Sequence, residues 1–408
     1  MKIGVVVKEW FRLSETFIAQ EIFGLEQKGL DITVYSLRKP RPKAKQPIYQ
    51  QIKADINHLE KTPISLIYQG IRALFYFKHN PNLPRLLKTF ESDFCKKPSW
   101  SRLKRLFQAL IFSREMAKDI DILYAHFLHT PSTFAYYVHL LTGKPWCFSA
   151  HAKDIWTSPQ WDLKQKMATA LWGNTCTAYN HAFLNNLKTN RPINLIYHGI
   201  TLSAFSYERT FDLTQIGQDP DRPFQILTIA RAVEKKGLDL LIEALSTLPK
   251  DLSWHWTHIG DGILLKKYKQ RVSKLGLSKH VTFLGPLTQS EITPHFKRAH
   301  LFVLPCRISK NGDRDGLPNV LMEALAMQIP ILSTQISAVE ELIEDGISGI
   351  LVEPDNISAL KSAIIRLISD PDLRRTLALQ GESRVKTDFT CDKGISELSQ
   401  LFQESLTA

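Results

Sequence analysis

Short apolar runs alternate with amphipathic stretches along most of the chain, and the alternation is clearest in its second half. Phe224–Ile229, Trp254–Ile259, Val281–Leu284, Leu301–Leu304, Ile331–Ser333 and Gly349–Val352 have the length and composition of buried strands. Gly237–Leu248, Leu264–Leu277, Glu291–Arg298 and Pro318–Met327 between them carry helical spacing. Strand, helix, strand in succession predicts a parallel sheet covered on both faces. Right-handed crossovers make such a unit doubly wound, with ligands at the carboxyl ends of its strands.

The first half repeats this grammar with an interruption. Lys2–Val7 reads as a buried strand, Glu15–Lys28 as an amphipathic helix and Asp31–Leu37 as the next strand. The pattern resumes with Ile122–Ala125, Pro131–Leu141, Pro145–Ala150, Asn180–Leu187 and Asn194–Tyr197. Residues 38–119 are read as a basic helical insertion that includes Ile64–Lys78 and the run Lys96–Arg105. Asp, Gln, Gly and Pro replace periodic apolar residues over Ser203–Pro223, a linker composition. The expected organisation is α/β: two Rossmann-like domains at 1–205 and 206–385 facing a deep cleft. A helical tail at 386–408 is expected to pack back toward the first domain.

At 408 residues the chain exceeds the size at which one core usually stops growing. Its five cysteines are scattered and lack CxxC spacing, as expected for free thiols in a reducing compartment. The N-terminal apolar run is too short for a signal peptide, and no stretch is long enough for a spanning helix; a cytoplasmic protein is expected. The formal charge is +12, yet counting Lys and Arg against Asp and Glu gives +14 for residues 1–205 and −2 for 206–408. That asymmetry suggests an anionic partner for the first half. Nucleic acid is disfavoured, because no RNA-binding module, zinc finger or helix-turn-helix pattern accompanies the charge. Within the insertion, basic residues interleave with Ile71, Leu74, Phe75, Phe77, Leu86 and Leu87, so an anionic inner-membrane surface is the candidate partner.

Two segments carry candidate chemistry. Arg231, Lys236 and Gly237 leave a strand and enter a helix, where free N–H groups favour an anion; a solvated charged turn is an equally good local reading. The second runs Asp315-Gly316-Leu317-Pro318-Asn319-Val320 into a helix that places Glu323 on an otherwise apolar run. A carboxylate there needs hydrogen bonds, from a ribose diol or from a backbone or His contact. Walker A and Gly-x-Gly-x-x-Gly patterns are both absent. In the first half, His151 and His126 follow strands and Asp154 stands close to His151. Ser14 and Glu15 occupy the first strand-to-helix turn. A core histidine bonded to Asp154 and an ordinary helix cap are their structural alternatives.

Taken together, these motifs resemble the retaining, two-domain glycosyltransferases of family 4, which have the GT-B fold, and especially the exopolysaccharide and colanic-acid branch. The resemblance rests on Asp315–Ala326 as an acidic-x7-Glu motif, on Val339–Gly346 with Gly349–Val352, and on Ala230-Arg231 with Lys236-Gly237. In the first half it rests on Ser14–Ile18, Ala125–Phe127 and Ala150–Ile155. It implies that Arg231 and Lys236 bind a donor diphosphate and that Glu323 binds the ribose. Residues 316–320 would line the nucleotide. Asp315, where the family usually has Glu, would lie by the donor sugar, and His151 would lie near the transferred sugar and acceptor. His198-Gly199 stands where the family commonly has Asn-Gly. Ser14, Glu15, His126 and Asp154 fall on the acceptor side. The implied reaction moves a sugar from a nucleoside-diphosphate sugar to a saccharide or lipid-linked saccharide, with no essential metal or other cofactor. A nucleotide-sugar epimerase, or a noncatalytic nucleotide- or polysaccharide-binding protein, is the alternative.

Overall fold

The structure is a computed structural model that describes residues 1–10, 15–40, 47–205, 217 and 221–405. Most of the expected linker, and Ser14, lie outside the described residues. The chain divides into two compact units, one of Met1–Ile196 with the chain from Gly394 onward, the other of Tyr197–Lys393.

The first unit is built on seven parallel strands: β1 (Lys2–Val7), β2 (Asp31–Ser36), β3 (Asp55–His58), β4 (Ile122–His126), β5 (Trp146–Ala150), β6 (Gly173–Thr175) and β7 (Ile193–Leu195). Their order is β3-β2-β1-β4-β5-β6-β7, so it reverses between β1 and β4. Helices α1 (Thr16–Gln27), α2 (Pro63–Tyr76), α3 (Leu83–Lys96), α4 (Trp100–Glu115), α5 (Thr130–Thr142), α6 (Ala152–Trp156), α7 (Gln160–Met167) and α8 (Ala178–Asn185) cover it. β4 and β5 are buried along their whole length, which is why they read as unbroken apolar runs. Phe402 near the C-terminus packs on this unit, its ring 5.3 Å from Tyr124 and 5.2 Å from Trp172.

The stretch expected to be a helical insertion is a strand followed by three helices. β3 pairs in parallel with β2, Thr33 opposite Asp55 and Ser36 opposite His58, and so forms one edge of the sheet. Its sequence, Asp-Ile-Asn-His, has no apolar run because an edge strand is only half covered. β6 escaped the reading for a similar reason, since Gly-Asn-Thr is short and polar although buried. α2 starts where Thr62 accepts a bond from the Ser65 amide and Pro63 takes an early helical position. Its inner side, Leu66, Gly70, Ala73 and Phe77, is buried in the unit's core. Leu86 is also in that core and Leu74 packs on it, so neither these nor Phe77 is available to a membrane. The outer side of α2 remains apolar: Ile64 is 84% exposed, Phe75 70%, Tyr68 60% and Ile71 44%. Among the basic residues expected at the surface, Arg102 and Arg105 are buried.

The second unit has six parallel strands: β8 (Phe224–Ile229), β9 (Trp254–Ile259), β10 (Val281–Gly285), β11 (Leu301–Leu304), β12 (Ile331–Thr334) and β13 (Ile350–Val352). Their order is β10-β9-β8-β11-β12-β13, reversing between β8 and β11. The helices are α9 (Leu238–Ser246), α10 (Leu265–Lys274), α11 (Gln289–Arg298), α12 (Asn319–Ala326), α13 (Val339–Leu342), α14 (Ile357–Ser369) and α15 (Pro371–Asp388). The chain then enters α16 (Cys391–Glu404). Two apolar clusters hold the second unit together, one centred on Trp256, Leu241 and Ile364, the other on Phe302, Met322 and Leu325. No helix among the described residues is long and apolar enough to cross a membrane.

Gly70 sets how closely α2 approaches α4. A Cβ placed there would lie 2.3 Å from Phe107 Cδ1 and 3.0 Å from its Cβ. Gly70→Ala should therefore lower stability by about 1 kcal/mol or more, despite alanine's helix advantage of about 1 kcal/mol. A melting temperature lower by roughly 2–8 °C is the expected result; a rise would contradict this packing.

Candidate functional site

The reversal between β8 and β11 brings the loop after β8 beside the loop after β11, the place where doubly wound sheets take ligands. Ala230 and Arg231 follow β8, and a short 3-10 turn, Glu234–Lys236, leads to Gly237. Gly237 has φ +62°, and a Cβ there would fall 1.9 Å from the Pro305 carbonyl oxygen. Its freedom thus serves the contact with the end of β11 as much as any ligand. Next to it, Gly260-Asp261-Gly262 after β9 lies against Ala230 and Ala232; a Cβ on Gly260 would be 2.0 Å from the Ala230 oxygen.

Charge is gathered tightly here. Lys236 Nζ is 2.7 Å from Asp315 Oδ2, and Lys235 Nζ is 3.2 Å from Asp315 Oδ1 and 3.0 Å from Asp313 Oδ1. Cys306 Sγ donates to Asp315 Oδ2 across 3.4 Å. Burial alone would raise the Asp315 pKa, yet the two ammonium groups hold it well below the usual carboxylate range. Burial likewise works against the Lys236 charge, and Asp315 more than compensates, leaving its pKa raised. Arg307 braces the same region, with Nη2 2.6 Å from Asp239 and Nη1 3.1 Å from Asp355. Asp315, expected beside a donor sugar, is thus occupied by two lysines.

Two groups stand apart from these pairs. Arg231 is exposed and makes no ion pair among the described residues. Glu323 lies half-buried inside α12, and its carboxylate has no hydrogen-bond partner among the described residues. Burial pushes its pKa up to about 7. Pro318 is the N-cap, so the helix starts one residue later than the sequence suggested, with Asn319 and Val320 opening it. Gly316 and Leu317 lie in the half-buried loop before it.

In the first unit the corresponding reversal brings together the turn after β4 and the start of α1, with His151 following β5 close by. His151 is 8% exposed; its Nε2 is 3.2 Å from Ser149 Oγ and its Nδ1 3.9 Å from Cys176 Sγ. It caps α6, its amide donating to Asp154 Oδ1 at 3.0 Å. Phe127 and Phe17 flank the imidazole at ring distances of 4.7 and 4.9 Å. Glu15 precedes α1 without capping it through its side chain.

His126 and Asp154, expected on the acceptor side, are both fully buried. β4 runs one residue further than its apolar stretch, and this turns His126 inward, its Nε2 3.0 Å from Glu21 Oε1. Asp154 is spent on the amides of His151 and Leu128. Burial raises its pKa to about 7. Both contact His151 from the interior, His126 with its ring 6.2 Å from the imidazole and Asp154 through the His151 amide.

Residues 211–384 match the family described as glycosyl transferases group 1. Those residues belong to the group 1 glycosyltransferases. An amylovoran biosynthesis glycosyltransferase of Erwinia amylovora is 28% identical over 224 residues, 52% of this chain and 55% of that protein. A putative colanic acid biosynthesis glycosyltransferase of Escherichia coli is 30% identical over 186 residues, 45% of this chain and 46% of that one. The chain thus spans about half the length of the curated relatives it matches. In fold it resembles sucrose-phosphate synthase from Thermosynechococcus elongatus, with TM-score 0.74, 16% identity and coverage of 100% of this chain and 99% of that one. It also resembles Anabaena Alr3699/HepE in complex with UDP-glucose, with TM-score 0.68, 16% identity and the same coverages. The fold is GT-B, two Rossmann-like units with parallel sheets.

Within the group 1 glycosyltransferase domain, sequence reasoning picked out Arg231, Lys236, Asp315 and Glu323. It missed Lys235, Arg307 and the Gly260-Asp261-Gly262 turn. Two close glycines after an apolar strand were the available signal for the last. In the first unit it missed Glu21 and Lys166, which look like ordinary helix and core residues, and it named Phe17 and Phe127 only within motifs, with no part of their own.

Glu323 makes stability depend on pH with a definite sign. Its folded pKa of about 7 lies above the ordinary 4.5, so between those values the folded chain keeps a proton that the unfolded chain has released. Stability should fall as pH rises through that window. Glu323→Gln should flatten the fall by on the order of 1–2 kcal/mol, allowing for partial exposure. Urea unfolding at pH 4.5 and 7.5 measures this, with Asp154 contributing the same slope to both proteins. Parallel pH dependences would mean that Glu323 is not held in a desolvated site.

Proposed function

We propose that the chain is a retaining glycosyltransferase that moves a sugar from a nucleoside-diphosphate sugar to a saccharide or polyprenyl-diphosphate-linked saccharide, in assembly of a surface polysaccharide. The observation that carries this reading is the pairing of a satisfied charge cluster with two open groups at the β8/β11 reversal. Arg231 is free to fork onto a diphosphate. Glu323 offers a carboxylate that a ribose diol satisfies. The unpaired N–H groups at the start of α12 favour the same anion. Lys236, paired with Asp315, turns toward the leaving diphosphate as its charge develops. Arg231, Lys236 and the helix end then stabilise the nucleoside diphosphate as its bond to the sugar breaks, while the acceptor hydroxyl oxygen bonds to the sugar and passes its proton to the departing phosphate oxygen. Asp315 lies by the transferred sugar in this reading. His151, pinned by Asp154 and flanked by Phe17 and Phe127, belongs to the acceptor side. The Anabaena neighbour's bound UDP-glucose and the group 1 match support a nucleotide sugar as donor.

In the same reading the first unit docks as a peripheral protein on an anionic leaflet, on the cytoplasmic face where a polyprenyl-linked acceptor is presented. Support comes from the outer stripe of α2: Ile64, Ile67, Tyr68, Ile71 and Phe75 recur at helical spacing and are exposed. Exposed Arg72, Lys78, Arg85, Lys88, Lys96 and Lys97 lie on or just beyond α2 and α3, complementing lipid phosphates.

Arg231→Ala and Lys236→Ala should each weaken UDP or GDP binding about tenfold or more, since a charge-assisted bond contributes about 1.5–3 kcal/mol. Calorimetric affinities unchanged in both folded variants would rule out this donor site. For the membrane, sedimentation with vesicles containing phosphatidylglycerol should retain the protein, fall as salt rises, and drop about tenfold for Ile71→Ser with Phe75→Ser. Equal retention by neutral and anionic vesicles would reject docking and leave the donor assignment standing.

A further inference from the structure

Lys166 is among the most deeply buried charged groups of the first unit, at 1% exposure on α7, and the transfer reaction as proposed does not use it. Its ammonium has three hydrogens and three acceptors. Asp162 Oδ2 lies at 2.6 Å, the Leu128 carbonyl at 3.1 Å and the His129 carbonyl at 3.2 Å. The two carbonyls belong to the turn between β4 and α5. That turn is strained, for Phe127 has φ +79°, a backbone region costly for a side chain of its size. From the other side, the Leu128 amide donates to Asp154, which also accepts from the His151 amide. The turn is thus gripped at its amide by Asp154 and at its carbonyls by Lys166, and the Phe127 ring it presents lies 4.7 Å from His151.

The lysine is itself held in place. Asp162 Oδ1 accepts from Arg102 Nη2 at 2.8 Å, and Arg102 Nη1 reaches Asp93 Oδ2 at 3.1 Å. Asp93 further accepts from Tyr137 at 3.0 Å and Gln165 at 2.9 Å. Two cations and two anions balance one another in the core, from α3 and α4 to α7. A buried ionic chain is a poor source of stability compared with apolar packing. What apolar residues cannot supply is a donor for the two carbonyls of a strained turn.

We propose that Lys166, held by Asp162 and Arg102, is a positioning residue that fixes the Phe127–His129 turn and, through Phe127 and Asp154, the placement of His151. The proposal deepens the acceptor-side reading of His151 and rests on it for its functional meaning, though its geometry can be tested without turnover.

The test compares the full-length chain with Lys166→Met, Lys166→Arg, Asp162→Asn and, as a packing control on the same helix, Leu163→Ala. Amide exchange at Leu128 and His151, and the His151 ring resonances, are read by NMR; UDP and GDP affinity is read by calorimetry. Lys166→Met should speed exchange at those two amides tenfold or more and shift the His151 ring, with nucleotide affinity within twofold of the parent. Lys166→Arg, which retains charge and donors, should restore much of the protection. Leu163→Ala should raise exchange broadly and leave the His151 ring signals in place. Should Lys166→Met fail to fold, Asp162→Asn carries the test, with the same local loss expected. Unchanged Leu128 and His151 signals in a folded Lys166→Met or Asp162→Asn chain, or changes matching those of Leu163→Ala, would overturn the proposal. A parent chain that binds neither UDP nor GDP, yet shows the local loss in Lys166→Met, would sink the donor reading and sustain the positioning role.

Discussion

A parallel sheet whose strand order reverses leaves a crevice at its carboxyl edge, and everything chemical in this chain is arranged around two such reversals. Between β8 and β11 the loops carrying Arg231 to Gly237 and Asp313 to Pro318 are brought side by side. Between β1 and β4 the start of α1 meets the Phe127 turn. Neither meeting follows from local propensity. Each follows from right-handed crossovers that send successive helices to opposite faces of the sheet. The tight contacts of Gly237 with Pro305 and of Gly260 with Ala230 let these loops lie so close.

At each crevice, charges with partners must be separated from charges without. Asp315, Lys235, Lys236 and Asp313 satisfy one another, and Arg307 bridges Asp239 and Asp355. Such clusters organise a loop whether or not a ligand arrives. Arg231 and Glu323 are different, because nothing described in the protein completes their bonding. In the proposed reading, this open cation at a strand end takes the diphosphate and this desolvated carboxylate takes the ribose. In the first unit the division runs the other way. His126, Asp154, Lys166, Asp162 and Arg102 are all internal, and in the proposed reading they bear on the site only through His151 and Phe127.

The sequence made the architecture legible where strands are buried on both faces. β1, β8, β9 and β11 have the bounds their apolar runs suggest. It was silent where a strand is short or polar, as in β3 and β6, because nothing local marks pairing to a distant neighbour. The residues proposed for the donor side stood out because strand-end cations and a misplaced carboxylate are anomalies along the chain. Lys235's pairing with Asp313 and Asp315 was not, since a lysine beside another lysine reads as solvated surface until the fold closes over it. Arg102 and Arg105 show the converse error. Both sit in a basic run that looks like an exposed face, but α4 is buried between α2 and α5 and takes them into the core.

Whether Glu323 meets a nucleotide decides the donor side. A ribose diol donating to that carboxylate favours its ionised form, and at pH 7 the unliganded group is about half protonated if its pKa is about 7. Calorimetric titration with UDP and with GDP near pH 7, in buffers of differing ionisation enthalpy, counts the protons released on binding. Release in the parent should exceed that in Glu323→Gln by a few tenths of a proton per nucleotide bound. Equal release from the two proteins, or no binding of either nucleotide, would contradict it.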